Sequence, residues 1–201
     1  MIDNSFRALL PGYVGPLLRL YDRLGLSPDG VSLLGFLGAG LACALILADW
    51  PLAAIAAWWI GRLFDGTDGI YARETGRSSS FGAYLDIVLD MAAYSLVVLA
   101  FAQVHPALLD RWLLILFLYV LCIASALALG MQERVRDVEP RDNRGLRLGA
   151  GLAEGGETGI AYTLFLLFPA HLGWLTGIWI AVLALTVVAR TLLARRTLGV
   201  R

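Results

Sequence analysis

Of the 201 residues in this chain, 59% are hydrophobic and the mean hydropathy is +0.73, more apolar material than a soluble domain of that length carries. The formal net charge is zero, which conceals an uneven placing of the charges and says nothing useful by itself; no nucleic-acid partner is expected. Composition therefore excludes a soluble domain with an added anchor and predicts an all-α, polytopic membrane protein folded as a single domain over residues 1–201.

In chain order, the first stretch, Ala8 to Leu26, is interrupted by Pro11, Gly12, Gly15, Pro16, Arg19, Asp22 and Arg23 and lacks the apolar centre of a cleavable signal. Its second half mixes apolar and basic positions, as an amphipathic helix lying along the membrane surface does. Ser27-Pro28-Asp29-Gly30 reads as a turn and helix start, with Asp29 as the candidate cap. Six apolar runs follow, at Val31–Ala48, Pro51–Ala72, Ala83–Val104, Trp112–Met131, Thr158–Phe168 and Leu175–Ala189. These predict six transmembrane helices across roughly 30 Å of hydrocarbon. The fifth run is short and is expected to begin near Leu152. Gly35, Gly38, Gly40 and Ala42 permit close helix contact in the first span. Cys43 and Cys122 fall within spans and are expected to pack as free thiols. The longest polar segment, Gln132 to Gly149, reads as a loop between the fourth and fifth spans.

Orientation follows from the basic residues, which are all arginine. With six spans, every arginine except Arg111 falls on one side. The positive-inside rule then places both termini on the cytoplasmic face of the cytoplasmic (inner) membrane.

The same face receives a cluster that an apolar helix should not contain. Asp65 and Asp68 are three apart in the second span, and Asp86 and Asp90 are four apart in the third, so each pair shares a helix face. One charge at the centre of a membrane helix costs about 2.5–3.5 kcal/mol on insertion scales. A chain retains four when a cation sits among them. Gly69, Ala72 and Gly82 are small and keep a gap open between the pairs. Carboxylate oxygens suit Mg²⁺ or Mn²⁺, and four carboxylates suffice for two ions shared with a diphosphate. Arg73, one turn beyond Asp68, has the planar donor fork for a phosphate. With three aspartates as ligands, Asp90, deepest along its stripe, is the candidate general base.

The run Asp65-x-x-Asp68-Gly69-x-x-Ala72-Arg73-x8-Gly82-x-x-x-Asp86-x-x-x-Asp90 resembles the signature of the CDP-alcohol phosphotransferase (CDP-alcohol phosphatidyltransferase) family, with every signature position filled. The resemblance implies transfer of a phosphatidyl or other substituted phosphate group from a CDP-linked lipid donor to a polar alcohol, with release of CMP. It also implies two divalent metals and a homodimer. By resemblance, Asp65, Asp68 and Asp86 are metal ligands and Asp90 is both ligand and base. Gly69, Arg73 and Gly82 then lie near the nucleotide, with Asp68 and Ala72 beside them. A chain without additional spans is similar to the branch that uses CDP-diacylglycerol. CDP-choline or CDP-ethanolamine transfer to diacylglycerol is the alternative. At the start of span five, where many family members carry a Glu-Arg-x-x-Arg-like pattern, this chain has Glu154-Gly-Gly-Glu157-Thr158.

Arg134, Arg136, Arg141, Arg144 and Arg147 add a basic cluster on the side of the aspartates. Arg134, Arg144 and Arg147 are taken as acceptor-binding residues, and a phosphorylated acceptor such as glycerol phosphate or inositol phosphate is expected. An intramembrane cation transporter is the reading from another class. Against it stand the lack of an internal repeat and an arginine beside the cluster that would repel a transported cation. A structural ion-pair network is the blander account. Arg62, Arg73 and Arg77 could neutralise three aspartates, but the span holding Asp86 and Asp90 has no basic residue of its own.

Overall fold

The structure, a computed structural model, describes residues 14–135 and 155–199. The described residues form helices and no strands. A first helix, α1, covers 14–23. It is followed by α2 (Pro28–Leu47), α3 (Pro51–Glu74), α4 (Ser80–Val104), α5 (Leu109–Val135), α6 (Gly155–Leu167) and α7 (Leu172–Leu198). Single 3₁₀ turns, Pro106–Leu108 and Pro169–His171, precede α5 and α7.

Four segments are long and apolar enough to cross a membrane: α2, α4, and α5 and α7 with their 3₁₀ turns. The other two expected spans, α3 and α6, differ for physical reasons. In α3, Arg62, Asp65, Asp68, Arg73 and Glu74 interrupt an otherwise apolar run. The described part of α6 has 13 residues, about 20 Å of helix. Its expected beginning near Leu152 lies outside the described residues.

Helix ends follow local chemistry. Ser27, rather than Asp29, caps α2: its Oγ accepts from the Gly30 amide at 3.1 Å, with Pro28 in the first turn. Asp29 sits inside that turn instead. Between α3 and α4 the chain reverses through Gly76, whose φ of +67° suits a residue without Cβ. The Arg77 amide donates to the Ala72 carbonyl at 2.8 Å there, and Ser79 caps α4 by accepting from the Gly82 amide at 2.8 Å. α5 continues to Val135, so Gln132–Val135 belong to a helix and not to the loop that polarity suggested.

α3 packs against α2 and α6, α2 against α4, and α5 against α7. The main core gathers Trp58, Tyr94, Phe101, Trp112, Tyr162 and Trp179. α1 buries Val14, Leu18 and Tyr21 and exposes Arg19, Leu20, Asp22 and Arg23. Tyr21 shares a 2.9 Å hydrogen bond with Thr67, and the Tyr71 hydroxyl donates to Asp22 at 2.7 Å. These contacts hold α1 across the aspartate-bearing end of α3. The two cysteines are free, as their positions predicted.

The α2–α3 contact sets the register on which the site depends. A Cβ on Gly38 would lie 2.7 Å from the Gly61 Cα, and one on Gly61 would lie 2.7 Å from the Gly35 carbonyl oxygen. Gly35 and Gly38 serve the close contact expected of them, whereas Gly40 faces open space. Gly61→Ala is expected to force α2 from α3 and cost about 1–3 kcal/mol, the usual penalty of overpacking. A lowered melting temperature in detergent checks this; an unchanged one counts against the packing described.

Candidate active site

Asp65 and Asp68 lie in the last three turns of α3, and Asp86 in the second turn of α4. The chain turns back at Gly76 and both helices pack against α2, so carboxylates 18 and 21 residues apart in sequence meet. One oxygen from each of Asp65, Asp68 and Asp86 falls within a group spanning no more than 4.8 Å. Asp68 is buried and the other two are partly so. Three negative oxygens that close, from two helices, fit a hard divalent cation by ligand chemistry and spacing.

Asp68 is also fixed by its neighbours. The Ser32 hydroxyl on α2 donates to its Oδ2, and the Gly69 amide donates to its Oδ1 at 2.5 Å. Ser32 is itself buried, one turn before Gly35 on the face that meets α3. Nothing in the sequence reading singled it out. Its membership of the small-residue stripe Ser32, Gly35, Ala39, Ala42 was the available signal. Ser32→Ala is expected to weaken divalent-cation binding by about 10–100-fold, the range for loss of a hydrogen bond to a ligating group. Mn²⁺ titration of the purified variant measures this, and an unaltered affinity would remove Ser32 from the site.

Asp90 stands apart from the three. Its Oδ1 accepts from Arg62 Nη1 at 2.6 Å, and the same guanidinium pairs with Asp65. The absence of a basic residue from α4 therefore did not leave Asp90 without a counter-charge: Arg62 reaches it from α3. The expected two facing pairs become a group of three plus one aspartate tied to arginine.

The remaining signature positions surround this group. Arg73 is exposed and places Nη1 so near Gly69 that a Cβ there would sit 3.3 Å away. Ala72 is partly buried beside it. At Gly82 a Cβ would meet Asp29 Oδ1 at 3.0 Å and Ser79 Oγ at 3.1 Å, so the position is narrow as well as side-chain-free. A Cβ at Gly155, the described start of α6, would lie 3.1 Å from the Tyr94 hydroxyl that accepts from Arg62. The departure from the family's basic pattern thus puts a glycine next to the site. Of the acceptor arginines, Arg134 lies in the last turn of α5, while Arg144 and Arg147 fall outside the described residues.

A family profile described as CDP-alcohol phosphatidyltransferase matches residues 26–190. The chain is 32% identical over 173 residues to inner membrane protein YnjF of Escherichia coli strain K12, covering 85% of this chain and 84% of that one. It is 30% identical over 159 residues to archaetidylinositol phosphate synthase of Aeropyrum pernix, covering 76% and 80% respectively. Its fold is similar to that of the phosphatidylinositol phosphate synthase PgsA1 of Mycobacterium tuberculosis, solved with CDP-DAG bound (TM-score 0.67, 22% identity, 91% of this chain and 94% of that one). A second structure of PgsA1, with manganese and citrate, gives a TM-score of 0.68 at 23% identity over 89% and 87% of the two chains. With its apolar helices and aspartate cluster, this helical membrane protein belongs to the CDP-alcohol phosphatidyltransferase family, whose members transfer substituted phosphate groups.

Proposed function

We propose that the protein transfers a phosphatidyl group from CDP-diacylglycerol to the hydroxyl of a small polar alcohol that itself carries a phosphate, releasing CMP. The observation that carries this reading is the group of Asp65, Asp68 and Asp86 within 4.8 Å, drawn from two helices, in a chain of this family. These residues, joined by Asp90, would hold Mg²⁺ or Mn²⁺, two ions in all. Bound there, such cations supply charge neutralisation for a diphosphate and polarise a phosphoryl oxygen.

The chain's own groups do the rest. Arg73, exposed beside Gly69, donates its fork to a donor phosphate. Gly82, with Asp29 and Ser79 close against it, keeps the nucleotide's side of α4 free of a side chain. Asp90 accepts the proton of the acceptor hydroxyl as its oxygen bonds to the phosphatidyl phosphorus. The bond from that phosphorus to the CMP oxygen breaks, and CMP leaves with the electron pair.

For topology, we take α3 and α6 as crossing the membrane with the other four. α3 has 24 residues, about 36 Å of helix, and Asp68 and Thr67 are buried on it, away from lipid. The arginine asymmetry then puts the site and both termini on the cytoplasmic side. α1 lies along that surface, its exposed arginines toward the headgroups.

The phosphorylated acceptor is supported by the arginines between α5 and α6, and by relatives named for inositol phosphate lipids. Arg134, Arg144 and Arg147 would hold its phosphate. The test offers purified protein, with CDP-diacylglycerol and Mg²⁺, glycerol 3-phosphate, inositol phosphate, inositol and serine in parallel, reading CMP and the lipid formed. Phosphorylated acceptors are expected to turn over faster, and Arg134→Gln and Arg144→Gln to raise their KM. Faster turnover of inositol or serine, or an unchanged KM in both variants, contradicts the assignment.

A further inference from the structure

Arg62 lies three residues before Asp65 on α3, deeper in the helix than the three-carboxylate group. Its Nη2 donates to Asp65, and its Nη1 donates to Asp90 at 2.6 Å and to the Tyr94 hydroxyl at 3.2 Å. Its Cζ is 5.7 Å from the centroid of Trp58 and 5.3 Å from that of Tyr94. A guanidinium so held spans two carboxylates on different helices with the planar fork that a lysine lacks. A small cavity lined by Gly35, Trp58, Gly61, Arg62, Asp65 and Ala93 borders it.

Charge decides what this arrangement does. Four aspartates and Arg62 leave three formal negative charges in the cluster. One divalent cation reduces that to one, and a second makes the cluster net positive among apolar helices, which is costly without a bound anion. The donor's diphosphate is such an anion, and divalent cations are commonly shared with substrate phosphates. Asp65 belongs to both the three-carboxylate group and the Arg62 pair, whereas Asp90 belongs to the pair alone. A cation that takes Asp90 Oδ1 has to displace Arg62 Nη1 from it, whereas one at Asp65 has two further carboxylates to hold it.

We propose that Arg62 is a positioning residue that reserves Asp90 and so makes the cluster fill in order. The first divalent cation binds at Asp65, Asp68 and Asp86. The second enters when the Arg62 fork is displaced from Asp90, an exchange favoured by the diphosphate of the donor. This inference rests on the metal reading above and adds an order of loading to it.

Mn²⁺ binding to the purified protein, followed by loss of the free ion's paramagnetic resonance signal, tests the order without reference to turnover. The wild type is expected to bind one ion at least about tenfold more tightly than the second, with CDP narrowing the gap. Arg62→Gln is expected to raise affinity for the second ion by about tenfold or more, so that two bind together without CDP. Arg62→Lys keeps the charge but cannot span both carboxylates, so it gives a smaller rise. It decides the matter if the glutamine variant does not fold. Two ions of equal affinity in the wild type, or an unchanged second affinity in the folded variants, overturns the proposal and leaves the metal reading standing. Failure of wild type and variants alike to bind Mn²⁺ overturns that reading and the proposal with it.

Discussion

Asp86→Asn is expected to abolish CMP release and to leave a folded membrane protein. Asparagine keeps the volume and one oxygen but removes the charge that a hard divalent cation requires. Asp86 is the contribution of α4 to the three-carboxylate group, so its loss leaves only oxygens from α3 there. The effect should exceed the ~10–100-fold that loss of a supporting hydrogen bond costs, placing turnover below detection. Asp65→Asn should match it and also release one side of the Arg62 pair. Neither side chain belongs to the aromatic core of Trp58, Phe101, Trp112 and Tyr162, so elution of both variants as the wild type does in detergent is expected. Retained CMP release by either variant, or full activity in excess chelator, would contradict a metal-dependent reaction at these carboxylates.

Asp90→Asn should behave differently. An amide oxygen still accepts from Arg62, so the 2.6 Å contact between α3 and α4 has a substitute, but the basicity is gone. Turnover is expected to fall by about 10²–10⁴-fold, the usual contribution of a positioned base, with CDP-donor binding retained. The separation of Asp90 from the three-carboxylate group favours this outcome, since the first cation then rests on the other side chains and survives the substitution. A loss of donor binding as large as the loss of turnover would make Asp90 chiefly a ligand.

The parts of the site legible in the sequence are those fixed within one helix. Spacings of three and four residues put Asp65 with Asp68 and Asp86 one turn from Asp90, because helical periodicity is local. Apolar run length gave α2, α4, α5 and α7 in the same way. What escaped depends on how one helix sits against another. Arg62 pairs with Asp90 because α3 and α4, both packed on α2, bring them together, and no spacing along α4 reveals a partner on α3. Ser32 looks ordinary until the approach of Gly35 and Gly38 to Gly61 brings α2 against Asp68. The cap of α2 was within reach of local rules, since serine before a proline in the first turn outranks an aspartate inside that turn. The end of α5 was misplaced because polarity at Gln132 and Glu133 was read as a loop, whereas a helix end with polar residues continues until something breaks it.

The central claim is that this aspartate cluster, with a divalent cation, moves a phosphatidyl group from a CDP-linked lipid. Its most direct test is CMP release from CDP-diacylglycerol by the purified protein, with glycerol 3-phosphate or inositol phosphate as acceptor, measured against Mg²⁺ or Mn²⁺ concentration. The lipid product is identified by mass in the same samples. CMP and a new phosphorylated-headgroup lipid are expected in equal amounts, with both falling to background in chelator and in Asp86→Asn. CMP and lipid formation that persists without divalent cation, or in Asp86→Asn, would contradict the account.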